Sequence, residues 1–420
     1  MDSPTPNLLA AIMKRDADIL IVGGGLIGPL LSVALAQAGL TSIVFDAQER
    51  AVHADPGFDG RAYAISFSSR RLLEALGLWS GLSGNAEQIR GMRISDGLPR
   101  TGTRSPVLEF DNGELDVGPM GHFLEDRYVR AALIAAMDSD PLIDHRAGTV
   151  VRAHEAGPGG VVITLADGAH LSGSVVVGCD GRGSDVARRA GITRTGWDYR
   201  QTGLVCAVEH DKPHCGIARQ FFYPGGPFAI LPLPGNRSSV VWSEERRRAE
   251  VISELGPAAY LREVKHRFGD SLGELRLAGA RYSYPLGLSL ATSFSAERLA
   301  LCGDAAHGIH PLAGQGLNLG FRDVAALAQV LADAHRRGED PGSAGVLQQF
   351  AQWRRVDTAL LSVSTDSINR LFSNANPLLR TARVLGLGLV SQSTTLRRFL
   401  IQEAAGVAGD LPRLLQGRRV

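Results

Sequence analysis

The chain has 420 residues, in which 44 Lys and Arg nearly balance 43 Asp and Glu. At roughly 100 to 200 residues per domain this length suits two domains with substantial cores, and the near-zero net charge argues against nucleic acid as a partner. Four cysteines without CxxC spacing, no long apolar leader at the N-terminus and no run of roughly 18 apolar residues predict a reduced, cytoplasmic protein, soluble or at most peripheral to a membrane.

In chain order, DILIVGGGLIGPLLSVALAQAGLTSIVFD at 18–46 reads as strand, glycine turn, helix, strand. Residues 147–178 alternate β-branched runs with Gly, Pro and Asp-Gly turns, which predicts a small antiparallel meander, with Asp167-Gly168 as one hairpin turn. A second strand-rich zone spans about 200–290, helices return after Gly316, and 355–420 reads as helical. This order is expected when an antiparallel sheet interrupts one nucleotide-binding domain. No internal repeat or low-complexity stretch is evident.

Gly23, Gly25 and Gly28 form GxGxxG between a strand and a helix, and Asp46 ends the next strand. In this pattern the first glycine permits a tight turn, the second admits a pyrophosphate against the backbone, the third lets helix and strand pack closely, and the acid accepts from a ribose. The motif alone leaves FAD and NAD(P) both open. A second glycine-rich loop, LCGDAAHGIHPLAGQGLNLG at 301–320, then bears on the choice. Asp304 at a strand end suits a ribityl hydroxyl, Pro311 stiffens the approach, and Gly314 and Gly316 let backbone N–H groups meet a flat ring at a helix N-terminus. The bland alternative is a glycine-rich linker before an ordinary helix. His307 and His310 lack carboxylate or cysteine neighbours at ligand spacing, so no metal is expected.

Together with GCDGRGSDVARRAG at 178–191 and GDAAHGIHPLAGQGLNLGFRD at 303–323, the first loop resembles the three fingerprints of the class A flavoprotein aromatic hydroxylases. DGRAYAISFSSRRLLEALGLW at 59–79, FFYPGGPFAILPLPGNRSSVVWS at 221–243 and the tail at 379–415 are similar to the ubiquinone-biosynthesis hydroxylase subgroup. The resemblance implies an α/β fold with a Rossmann-like, glutathione-reductase-type FAD domain, interrupted by an antiparallel substrate sheet and followed by helices. Its boundaries are FAD domain at 17–92, 121–196 and 291–355, substrate strands at 93–120 and 197–290, and C-terminal helices at 356–420.

The resemblance further implies a monooxygenase that reduces FAD with NAD(P)H or through an electron-transfer partner. A flavin C4a-hydroperoxide then hydroxylates a polyprenylated phenol, with O2 as co-substrate. FAD contacts are expected from Gly23, Gly25, Leu26, Ile27, Gly28, Asp46, Arg61, Arg127, Asp180, Gly181, Gly303, Asp304, Pro311, Gly314, Gln315, Gly316, Leu317 and Asn318. Such chemistry needs a dry pocket, for which Phe228, Ile230, Leu231 and Pro232 are candidates. No side chain stands out as a protein base; His307, His310 and Tyr223 are candidate proton relays. Ser184 is a candidate helix cap. A quinone-biosynthesis complex is a further expectation, and the Leu- and Val-rich C-terminal helices are read either as contacts with the inner face of the membrane or a partner, or equally as packing helices of the FAD domain. The alternatives are a hydroxylase of a small soluble aromatic substrate and a flavin-binding scaffold without turnover.

Overall fold

A computed structural model describes residues 15–96, 108–111, 113, 118–374, 386, 388 and 390–420. The segment at 375–385, part of the tail read as helical, lies outside the described residues, as do the first 14.

Strand β1 (Ile19–Val22) sits between two parallel neighbours, β2 (Ser42–Phe45) and Val175–Gly178. The full six-stranded order is Ser295–Ala296, Leu299–Leu301, Val175–Gly178, β1, β2, Ile143–Arg146. The central strands are continuous apolar runs, ILIV, SIVF and VVVG, as expected of a sheet buried on both faces. Helix α1 (Ile27–Ala36) buries nine of its ten residues. It packs against the long helix α2 (Gln315–Arg336), which approaches closely at Gly320, where a Cβ would stand 2.6 Å from Ile27 Cδ1.

The meander expected at 147–178 forms from Val151–Gly157, Gly160–Leu165 and His170–Gly173. Asp167-Gly168 makes its turn, with Gly168 at φ +87°. The last apolar run departs from that reading: Val175–Gly178 leaves the meander for the parallel sheet, where its four residues are wholly buried.

The second large sheet has eight strands: His307–Gly308, Leu275–Ala291, Arg194–His210, Arg237–Glu245, Gly226–Leu233, Ile217–Tyr223, Gly91–Asp96 and Leu108–Asp111. All neighbours are antiparallel except Ile217–Tyr223 with Gly91–Asp96, which run parallel. Two 17-residue strands, Arg194–His210 and Leu275–Ala291, reach from this sheet to the nucleotide-binding layer, so the boundary read at 196/197 falls inside a strand. One face of the sheet packs on helices Arg246–Glu254 and Pro257–Phe268 through Phe228, Ile230, Val240, Trp242 and Tyr260. Helix α3 (Ala344–Phe372) begins before the expected boundary at 356, and Thr394–Ala405 adds a shorter helix.

Candidate active site

The first glycine loop has the geometry its spacing requires. Gly23 has φ +119°, and a Cβ there would collide with the carbonyl of Cys179; a Cβ at Gly28 would collide with the carbonyl of Gly23. Gly25 differs: nothing lies within 4 Å of its missing Cβ, so the space it guards belongs to no protein atom. No side chain caps the first turn of α1, which leaves its N–H groups and positive end available to an anion. By contrast Ser184 does cap Asp185–Arg189, accepting from Ala187 N at 3.0 Å.

Asp46 is buried, and its Oδ2 has no aligned hydrogen bond although His53 Nε2 lies 2.6 Å away. Asp180 likewise has one carboxylate oxygen on Val186 N at 3.0 Å and the other buried without a partner. Buried oxygens of this kind cost free energy until a donor meets them. A ribose hydroxyl is such a donor, so the loop and its acid fit the adenosine end of FAD.

The second loop abuts the first. Gly303 has φ +63° and its missing Cβ faces Ile27 Cγ1 at 3.0 Å, while Gly314 has φ +64° and faces Ala64 Cβ at 2.9 Å. Gly314 is the left-handed N-cap of α2, again with no side-chain cap, and Gly316 opens onto free space. Asn318 is a strut: its oxygen accepts from Ser66 N and Ser69 Oγ, its amide donates to the carbonyls of Ala64 and Gly314. Any contact of Asn318 with a ligand is therefore left to its backbone. The Asp304 carboxylate pairs with Arg182 Nε at 3.0 Å on the exposed side of the loop.

Beneath the loop lies a buried ionic network that the motifs alone did not reveal. Asp323 accepts from Gly303 N at 2.9 Å, His307 Nε2 at 2.5 Å and Arg354 Nε at 2.7 Å. Arg354 and Arg322 also share Asp357. Burial would raise the Asp323 carboxyl, but His307 and Arg354 outweigh it and hold it below the usual range. His307 thus belongs to the scaffold of the loop and does not line the cavity above it.

That cavity, about 570 Å³, is common to the second glycine loop and the free face of the eight-stranded sheet. Leu26, Ile27, Arg61, Gly181, Gly303, Asp304 and the run from Gly314 to Asn318 line one side. Opposite, Tyr282, Val205, Val241, Ala229 and Gln220 form a row of register partners across five strands.

The period-2 alternation of Gly226–Leu233 corrects the expected pocket. Pro227, Ala229 and Leu231 face the cavity, whereas Phe228 and Ile230 turn to the core on the other face, and Pro232 has the same parity. Tyr223 is also removed from the cavity, its hydroxyl donating to the Arg267 carbonyl at 2.5 Å. Arg127 is held by the Glu125 carboxylate and the Pro56 carbonyl and does not line the cavity; Arg130, one turn on, does. Arg61 reaches the rim while paired with Asp59 and Asp126. His310 lines the cavity, fully buried, with neither ring nitrogen hydrogen-bonded. Burial pushes its imidazole down to about 4, leaving it neutral.

Two glycine loops meet over one cavity, walled opposite by a sheet, an arrangement that fits a dinucleotide-binding protein. A family model described as FAD binding domain matches residues 16–355. A ubiquinone hydroxylase, UbiL, of Rhodospirillum rubrum is 42% identical over 96% of this chain and 93% of its own. The 3-demethoxyubiquinol 3-hydroxylase of Escherichia coli is 33% identical over 94% of this chain and 100% of its own. The fold is similar to that of p-nitrophenol 4-monooxygenase PnpA from Pseudomonas putida, with TM-score 0.77 and 21% identity over 97% of this chain and 100% of that one. The chain belongs to this family of FAD-dependent hydroxylases.

Proposed function

We propose that this chain hydroxylates the aromatic ring of a polyprenylated phenol on the route to ubiquinone, as an FAD-dependent monooxygenase. The observation that carries the reading is the shared cavity: the loop suited to a flavin ring faces a row of the sheet with Val205, Val241 and Ala229 at its centre and Tyr282 and Gln220 at its ends. Bound FAD supplies the redox and oxygen-activating chemistry. The chain's own part is to hold, orient and dry. Gly23, Gly25 and Gly28 with the start of α1 would hold the pyrophosphate, Asp46 the adenosine ribose, Asp304 the ribityl chain, and the backbone from Gly314 to Asn318 the ring edge. The Ala229 and Leu231 face would exclude water and receive the phenol ring.

NAD(P)H is the proposed electron donor, with Arg61 and Arg182, both half-exposed at the cavity rim, available to its phosphates. Membrane or partner contact is proposed for the outer face of α3. Val356, Leu360 and Val363 there are 64–65% exposed, flanked by the exposed Arg355 and Arg370. Among the described residues no helix is long and apolar enough to cross a membrane. The decisive test is deletion of the gene followed by mass spectrometry of the quinone precursors. Accumulation of a prenylated precursor lacking one ring hydroxyl supports the proposal; normal quinone in a strain with no redundant hydroxylase overturns it. Phenol-stimulated NAD(P)H oxidation only with untailed substrates would favour the small-aromatic alternative, and a flavin that resists reduction by every donor would favour the scaffold.

A further inference from the structure

Cys179 and Cys302 immediately follow two neighbouring strands, and the chemistry described above uses neither. Val175–Gly178 and Leu299–Leu301 pair in parallel, with Gly178 opposite Leu301, so the next residues of each, Cys179 and Cys302, stand side by side. Backbone bonds hold both in place: Cys179 N donates to the Val22 carbonyl at 2.7 Å, and Cys302 N to the Gly178 carbonyl at 2.9 Å. Neighbouring strands lie about 4.8 Å apart, within the roughly 4.4–6.8 Å between Cα atoms that a disulfide spans. The Cys302 thiol is within hydrogen-bond reach of Cys179, both thiols are free, and both residues border the cavity. Their access differs. Cys179 is half-buried and open to a small solute entering the cavity, whereas Cys302 is wholly buried behind it. Burial pushes the Cys302 thiol up, and the adjacent Cys179 adds to the effect, so Cys302 is the protonated, shielded member of the pair. The other two cysteines stand apart, Cys206 in the core beneath the sheet helices and Cys215 exposed.

We propose that Cys179 and Cys302 are a thiol oxidation site, which closes to a disulfide when hydrogen peroxide enters the cavity in the absence of FAD. Hydrogen peroxide forms wherever reduced flavin passes its electrons to O2 without hydroxylating anything. The Cys179 sulfur attacks one peroxide oxygen; the O–O bond breaks, an S–O bond forms, and one water leaves. The Cys302 sulfur then attacks the Cys179 sulfur. The S–S bond forms, the S–O bond breaks, and the hydroxyl departs with the Cys302 proton as a second water. Two thiols have lost two electrons, and one peroxide has become two waters. Sulfurs in contact at about 4 Å draw together to about 2 Å in the bond. Cys179 carries the carbonyl that lies under Gly23 and leads into Asp180-Gly181, while Cys302 leads into Gly303-Asp304. Closure therefore pulls on both cradles at once and takes away the spacing that suits FAD. The proposal requires the FAD site and is independent of the phenol reading.

The test uses the full-length Cys215→Ser protein, in which the exposed thiol no longer competes, both stripped of FAD and loaded with it. Hydrogen peroxide is the probe, and the products are read by intact mass and peptide mapping without reductant. The stripped protein should lose two hydrogens, yield a peptide pair linked through Cys179 and Cys302, and bind FAD at least about tenfold more weakly, all reversed by dithiothreitol. The loaded protein should oxidise roughly tenfold more slowly. Adding Cys302→Ala should leave Cys179 with one added oxygen that dimedone traps; should that variant fail to fold, the linked peptide decides alone. Two intact thiols after peroxide treatment would overturn the proposal. So would Cys179 passing to the sulfinic acid with no linked peptide, a linked protein that binds FAD as the reduced one does, or equal oxidation with and without FAD. The phenol reading stands or falls separately, on the quinone precursors.

Discussion

Replacing Asp323 by Asn tests how far the flavin loop depends on a charge it never exposes. The carboxylate is wholly buried and satisfies three donors, one of them the backbone N–H of Gly303. Asparagine keeps one acceptor oxygen and turns an amide NH2 toward a donor, so either Arg354 or the Gly303–His307 side is left facing another donor. Breaking a buried ion pair by removing one partner costs about 3–5 kcal/mol. With an unfolding entropy of about 2.1 cal/mol/K per residue, a cooperative unit of this size would lose roughly 3–6 °C in melting temperature. If about 1.4 kcal/mol of the cost appears as displacement of the loop, FAD affinity falls about tenfold. Thermal denaturation with and without added FAD, and titration of apoprotein followed by flavin fluorescence, measure the two effects. An Asp323→Asn protein that melts within about 1 °C of wild type and binds FAD within about twofold would refute the claim that this network holds the loop.

The two glycines of the first loop should separate. Gly25→Ala meets no protein atom, so the apoprotein should melt as wild type while FAD binding weakens at least about tenfold; Gly28→Ala collides with the Gly23 carbonyl and should destabilise the apoprotein itself, both read by calorimetry and flavin titration. On the sheet, Phe228→Ala should cost about 3–5 kcal/mol in denaturant unfolding, whereas Ala229→Phe, on the cavity face, should leave stability nearly intact and abolish phenol-stimulated NAD(P)H oxidation. Burial, aided at His122 by Arg70, holds His122 and His310 down to about 4, while unfolded imidazoles titrate near 6.5. Between these values the unfolded chain binds protons that the folded chain refuses, so stability falls as pH drops from about 6.5 toward about 4, by up to about 1.4 kcal/mol per pH unit for each ring. His310→Gln should reduce that slope, in urea unfolding of the apoprotein, by close to one proton; an unchanged slope contradicts it.

The parallel sheet and its loop were legible because strand, glycines, helix and acid are consecutive, and each glycine's task is local. The second loop could be read as a ligand cradle from Asp304, Pro311 and its glycines, but the approach of Ala64 and Ile27 to Gly314 and Gly303 is tertiary and leaves no local signal. FAILPL at 228–233 shows the limit well. Apolar on both parities, it cannot announce which side faces a cavity, and the structure turns Ala229 toward the cavity and Phe228 and Ile230 away from it. Arg127 and Arg130 lie one helical turn apart; Glu125 and the Pro56 carbonyl hold the first away from the rim, while the second pairs with Asp126 and lines the cavity.

Ile27, in the first turn of α1, packs under both Gly303 and Gly320. The contact therefore joins the first βαβ unit to residues synthesised almost three hundred positions later. Until residues near 320 have been made, the nascent βαβ unit has a pocket with one wall missing. Contacts of such long sequence separation close slowly, which makes FAD loading an event after most of translation is finished and leaves the half-built chain reliant on its own apolar sheet, or on chaperones, in the interval.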